Sequence, residues 1–265
     1  MSYISVDAKA LLAAGAHFGH KTSRWHPKMA PYIHSKRGDT HIIDLTKTAT
    51  MLDTALAAIT DAVTKGGKIL VVSTKRQARD EVNQLAADTG MPFVTNRWAG
   101  GMLTNTKTIG ERIKHLKKLE ERMASGELDA KFGKLEVQRF QEEIDEMNVL
   151  YGGIKDLNGK PAIVFVVDML HDKNAVAEAT KLGVPVVALA DTNCDPRTVK
   201  YPIPSNDDAV KAIALVCDYV KQAIEAGKAM QKSAALTDGG DKAPEMSAKK
   251  PAKPEPKAQA LKKKD

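Results

Sequence analysis

The chain has 265 residues, 43% hydrophobic and 28% charged, with a formal net charge of +7. That length supports one good-sized core or two small ones, and the composition excludes a collagenous, low-complexity or disulfide-built chain. No apolar run reaches the roughly 20 residues of a membrane span, no secretory or transit segment opens the sequence, and two cysteines, Cys194 and Cys217, are too few for a disulfide framework; a reducing cytoplasmic compartment and no membrane partner are expected.

In chain order, the first feature is a basic and aromatic segment, His17–His41. It interleaves Lys21, Arg24, Lys28, Lys36 and Arg37 with Phe18, Trp25 and Tyr32. Cations neutralise phosphates while aromatic rings and guanidinium planes stack on unpaired bases, so this segment is a candidate RNA contact. "HFGH" (His17–His20) has two histidines three apart but no cysteine nearby to complete a zinc set, and no metal is expected. Thr40–Leu45 predicts a short strand, followed by an Ala-rich helix with Thr46 as N-cap and Gly66-Gly67 as its stop. Lys68–Ser73 is a continuous apolar strand of the kind buried on both faces. A helix ending at Gly90, a strand at Pro92–Thr95 and the turn "NRWAGG" follow, pairing Arg97 with Trp98.

From about Asn105 to Ile154 strand signals stop. Val137, Phe140, Ile144, Met147, Tyr151 and Ile154 recur every three or four residues, and Ile109, Ile113, Leu116, Leu119 and Met123 make a looser stripe. Two narrow apolar seams on densely charged helices predict an inserted antiparallel coiled-coil hairpin. Strand–helix alternation then resumes with strands at Ala162–Asp168 and Val184–Ala190, a loop kept extended by Pro196, Pro202 and Pro204, and a long helix capped by Ser205 or Asn206. The alternation implies a parallel sheet covered by helices on both faces. The expected organisation is an α/β RNA-binding domain over 1–104 and 155–227, the hairpin over 105–154, and a disordered Lys/Ala/Pro-rich tail over 228–265. Charge follows this division: residues 1–50 carry +4, residues 156–227 carry −3, and the tail carries +5. One basic side facing a polyanion and another side facing something else fits that asymmetry.

Catalytic sets are present only as fragments. There is no GxGxxG and no GxxxxGK[ST]. The Gly100-Gly101 pair before a helix could cradle a phosphate on backbone N–H groups, which keeps open an enzyme handling a nucleotide or sugar phosphate. Cys194, at the end of a central strand, would need a base, with His171 the one candidate; a small buried thiol explains it as well. A protein-docking adaptor using the hairpin is a third reading, compatible with RNA binding.

The stretches "LLAAGAHFGHKTSRWHPKMAPYI", "HIIDLTKT", "NRWAGGMLTNTKTI", "AIVFVVD" and "LGVPVVALADTNCDPRTVKYPIPSNDDA" together resemble the bacterial small-subunit (30S) ribosomal protein two family, over about Ser5–Ala226. His26 stands where that family usually has Asn, and Ser205 where it usually has Gly. The resemblance implies a doubly wound, flavodoxin-like α/β fold, no catalysis and no cofactor. It implies a place on small-subunit (16S) rRNA between head and body, among neighbouring ribosomal proteins, and a part in docking ribosomal protein one. The candidate RNA-binding residues are His20, Lys21, Arg24, Lys28, Lys36, Arg37, Lys75, Arg76, Arg97 and Lys107.

Overall fold

The computed structural model describes residues 4–157 and 159–238. After a short helix α1 (Ala8–Ala13), three strands form a small antiparallel sheet: β1 (Phe18–Lys21), β2 (Ile33–Arg37) and β3 (Thr40–Ile43), in the order β1-β3-β2. Helix α2 (Leu45–Thr64) follows; its N-cap is Asp44 rather than the expected Thr46, and the Asp44 carboxylate accepts from the Thr46 amide at 3.0 Å. The central sheet contains β4 (Ile69–Val72), β5 (Phe93–Val94), β6 (Ile163–Val166), β7 (Val186–Ala190) and β8 (Tyr201–Pro204), all parallel, in the order β5-β4-β6-β7-β8. Counted within this sheet the order is 2-1-3-4-5, the flavodoxin-like arrangement, in which ligands sit beyond the carboxyl ends of the strands.

Alternation of side chains builds two cores. Ile69, Val71, Ile163, Phe165, Val187 and Leu189 point to one face and pack beneath α2, α3 (Arg79–Thr89) and α8 (Val210–Asp238). Leu70, Val72, Val164, Val166, Val186 and Ala188 point to the other, beneath α7 (Lys173–Lys181) and the Trp98–Leu103 turn. Strands covered on both sides need apolar residues at every position, which is why β4, β6 and β7 are buried throughout and why their sequences read as unbroken apolar runs.

Two strand assignments differ from the sequence reading. Thr40–Leu45 is not a strand of the parallel sheet; residues 40–43 pair antiparallel with β1 and β2. Its place in the parallel sheet is taken by residues 201–204, read as a proline-stiffened loop. Proline has no N–H to give a neighbour, so Pro202 and Pro204 are compatible with a strand at the sheet's edge and stop it from growing further.

Between β5 and β6 the chain leaves the sheet as α4 (Thr106–Ala124), α5 (Glu127–Lys131) and α6 (Lys134–Tyr151). Leu116 and Leu119 pack with Ile144 and Met147, flanked by Met123 and Phe140. Ile109 and Ile154, the opposite ends of the two seams, join the sheet's second core, so α4 and α6 run antiparallel away from a shared base. The "ASGELDAKFG" connection is itself partly helical, pinned by the fully buried Leu128.

The expected boundary at 228 also moves. Helix α8 continues to Asp238, because Gly227 lets it lie against Thr60 and Val63 of α2, and the Lys228 ammonium caps the carbonyl of Thr89. The remainder of the predicted tail lies outside the described residues.

Candidate nucleic-acid interface

The small sheet sits across the carboxyl ends of β7 and β8. The His26 amide donates to the Thr192 carbonyl at 2.7 Å, the His20 amide to Thr192 Oγ1 at 2.9 Å, and the Asn206 amide to the Ala16 carbonyl at 3.0 Å. Asn206 Oδ1 in turn accepts from the amides of Asp208 and Ala209, turning the chain into α8. The crevice that a cofactor would occupy in an enzyme of this topology is therefore partly filled by the protein's own N-terminal segment.

Beneath that seam lies a set of largely buried charges, with Asp208 at its exposed edge. The Lys75 ammonium, at the end of β4, is 3.1 Å from Asp168, 2.7 Å from Asp207 and 2.6 Å from Asp208. His20 Nδ1 lies 2.9 Å from Asp191, which is 2% exposed, and its Nε2 lies 3.5 Å from Asp208. The hydrogen bond to Asp191, helped by the neighbouring carboxylates and opposed by burial, raises the His20 pKa above its ordinary value. Burial, with the charges of Asp168 and Asp191, pushes the Asp207 carboxyl up to about 7 against the pull of Lys75. His20, Asp191 and Asp207 bring one donor atom each within 4.8 Å of one another. One imidazole and two carboxylates are a ligand set suited to a divalent cation. In this structure Lys75 and His20 meet the carboxylates from within the chain.

The ten expected contact residues divide accordingly. His20 and Lys75 are internal: their charges face carboxylates, which leaves them poor partners for phosphate. The other eight are exposed at the carboxyl-end side of the fold. Lys21, Arg24, Lys28, Lys36 and Arg37 lie on the small sheet and its turns, Arg76 and Arg97 follow β4 and β5, and Lys107 opens α4. Among the described residues none of these eight forms an ion pair. Trp25, 40% exposed, lies among them with its ring 5.4 Å from that of His41. Trp98, 8% exposed, belongs to the core.

Neither enzyme-like fragment has the surroundings of an active site. At the Gly100-Gly101 turn the anion is supplied by the protein: the Glu178 carboxylate accepts from Trp98 Nε1 at 3.0 Å and from the amides of Gly101, Leu103 and Thr104 at 2.8, 3.0 and 3.1 Å. The Thr104 hydroxyl adds a fifth bond. Burial alone would raise the Glu178 pKa, but these donors outweigh it and lower it. Gly101, at φ +85°, lets the backbone curl its amide toward the carboxylate. No local pattern announces this contact, because Glu178 lies about 75 residues away on α7. Cys194 is buried, its thiol donates to the Asp191 carbonyl, and burial with four nearby carboxylates pushes it up to about 12, so it is no nucleophile.

A family model described as Ribosomal protein S2 matches residues 11–227. The chain belongs to the ribosomal protein S2 family. It is 48% identical to the small ribosomal subunit protein uS2 of Dehalococcoides mccartyi, over 89% of this chain and 96% of that one. It is 48% identical to the protein of the same name from Ruegeria sp. strain TM1040, over 88% and 90%, and 45% identical to that of Rhodospirillum rubrum, over 91% of each. Membership in the S2 family makes the chain a structural, non-catalytic constituent of the small ribosomal subunit. No helix among the described residues is long and apolar enough to cross a membrane.

Proposed function

We propose that this S2-family chain binds 16S rRNA through the small antiparallel sheet and the adjoining strand-end cations, seated between head and body of the subunit. The observation that carries the reading is a separation of charge: eight exposed cations without ion-pair partners lie on the side of the fold where Asp168, Asp191 and Asp207 are buried against Lys75 and His20. Phosphate contacts supply affinity and register, and exposed rings such as Trp25 supply contacts to unpaired bases. The α4–α6 hairpin, as a coiled coil, reaches a second element of the subunit, and the protein helps dock ribosomal protein one, in keeping with the resemblance of the sequence.

The test is the salt dependence of binding to a 16S rRNA transcript. Replacing Lys21, Arg24 and Lys28 together by Gln is expected to reduce the slope of log K against log salt by about 2 to 3, since each phosphate contact contributes roughly 0.7–0.9. An unchanged slope would remove the small sheet from the interface.

A further inference from the structure

A cleft of about 670 Å³ opens between α7 and the 193–198 loop, beside the small sheet. That volume is in the range of about 300–1,000 Å³ typical of ligand sites. Its apolar wall is Met169, Val176 and Cys194, and its polar rim is His26, Lys173 and Arg197. No part of the charge-set beneath the seam or of the ten expected contact residues lines it.

The rim groups are held in place. Arg197 pairs with both oxygens of Asp195, Nε at 3.0 Å and an Nη at 2.7 Å, and Asp195 also accepts from the Arg197 amide. The carboxylate is thereby neutralised and the guanidinium plane fixed. His26 is anchored by its backbone bond to Thr192, and its Nδ1 accepts from the Lys28 amide at 3.2 Å, which leaves Nε2 as the free ring nitrogen. One further lining group lacks a partner: Asn193 Oδ1 is buried and accepts no hydrogen bond. Buried acceptors without a donor are costly, and this one is shielded from the cleft as well as from water, so it gains a donor when the Asn193 amide turns outward to meet one in the cleft.

We infer that this cleft receives one unpaired nucleotide of the RNA, its base between the His26 and Arg197 planes and the apolar wall, its edge donating to Asn193, its phosphate near Lys173. The features match what a single extruded base requires: a flat cationic plane, an apolar floor, an amide to meet its edge, and a net positive rim. A purely apolar occupant would leave Asn193 unsatisfied and the guanidinium plane unused. The inference rests on the RNA-binding reading above and adds to it a base-reading site at which His26, Asn193 and Arg197 act.

Two variants test it in the full chain with a 16S rRNA transcript as probe. Ala177 lines the cleft from the exposed side of α7, so Ala177→Phe fills the space while every charged residue and every core residue is retained. Arg197→Lys keeps the charge and removes the plane. Each is expected to bind the transcript about tenfold more weakly, the weight of one stacked base, with an unchanged melting temperature; the salt slope stays unchanged in Arg197→Lys and falls by no more than the roughly 0.7–0.9 of one phosphate contact in Ala177→Phe. Wild-type affinity in both folded variants overturns the inference while leaving the phosphate contacts intact. So does an Ala177→Phe variant that binds RNA normally but loses a small-subunit protein, which would make the cleft a protein socket. If the wild-type chain fails to bind the transcript at all, the RNA-binding reading falls and this one with it.

Discussion

At the scale of single residues, Glu178 has the clearest consequence. Its carboxylate draws three amides, an indole N–H and a hydroxyl onto two oxygens, and so shapes the turn that launches α4. Hydrogen bonds to a charged group contribute about 1.5–3 kcal/mol each when lost with the partner left buried, and some of these donors would find water instead. Glu178→Gln replaces one acceptor oxygen with an NH2 group facing N–H donors. It is expected to destabilise the fold by about 2–3 kcal/mol and to redden and broaden Trp98 emission, with thermal denaturation followed by fluorescence as the readout. A Gln variant as stable as wild type would mean that the nest holds together without an anion. The same residue accounts for the phosphate-loop look of Gly100-Gly101: the turn is built for an anion, and the chain brings its own.

At the scale of elements, the docking of the small sheet depends on close approach. A Cβ at Gly19 would lie 2.5 Å from Thr192 Cγ2 and 3.2 Å from the His41 carbonyl. Gly19→Ala must therefore push β1 off the 191–194 loop, at a cost of about 1–3 kcal/mol, and should weaken RNA binding together with stability; a melting curve identical to wild type would show the seam to be loose. This seam was invisible in the sequence, as were β1 and β2, because His, Lys and Ser alternate there without an apolar face to mark a strand. β8 was hidden by its prolines. By contrast β4, β6 and β7 declare themselves as apolar runs, and α4 and α6 show apolar seams of which Leu116, Leu119, Ile144 and Met147 form one buried cluster. The eight exposed cations were legible by residue type. That Lys75 and His20 point inward was not, since their partners come from β6, β7 and the turn before α8, and only the assembled sheet brings those together.

At the scale of the whole molecule, Asp168, Asp191 and Asp207 are buried at the end of the sheet where eight cations are exposed, and Lys75 is the internal cation that holds that arrangement. Its pKa is raised: burial opposes the charged form, but Asp207, Asp208 and Asp168 outweigh burial, so it stays charged. Asp207, raised to about 7, is proton-rich in the folded state relative to the unfolded chain between about pH 4 and 7, so its contribution to stability falls as pH rises through that window and is flat above it. His20 acts in the same direction: its raised pKa gives stability that is complete below its ordinary value and lost as pH climbs through the folded one. Lys75→Met removes the compensating cation and leaves Asp168, Asp207 and Asp208 facing one another, with Asp191 and His20 alongside. Uncompensated buried charge costs about 3–5 kcal/mol, and protons can supply part of the missing charge only where they are available. The variant is thus expected to lose far more melting temperature at about pH 8 than at about pH 5.5, by calorimetry, while the acid-stabilised protein keeps the wild-type salt slope for RNA. Equal losses at both pH values would make the Lys75 site a matter of packing, and a slope reduced by about 1 would return Lys75 to the RNA-facing set.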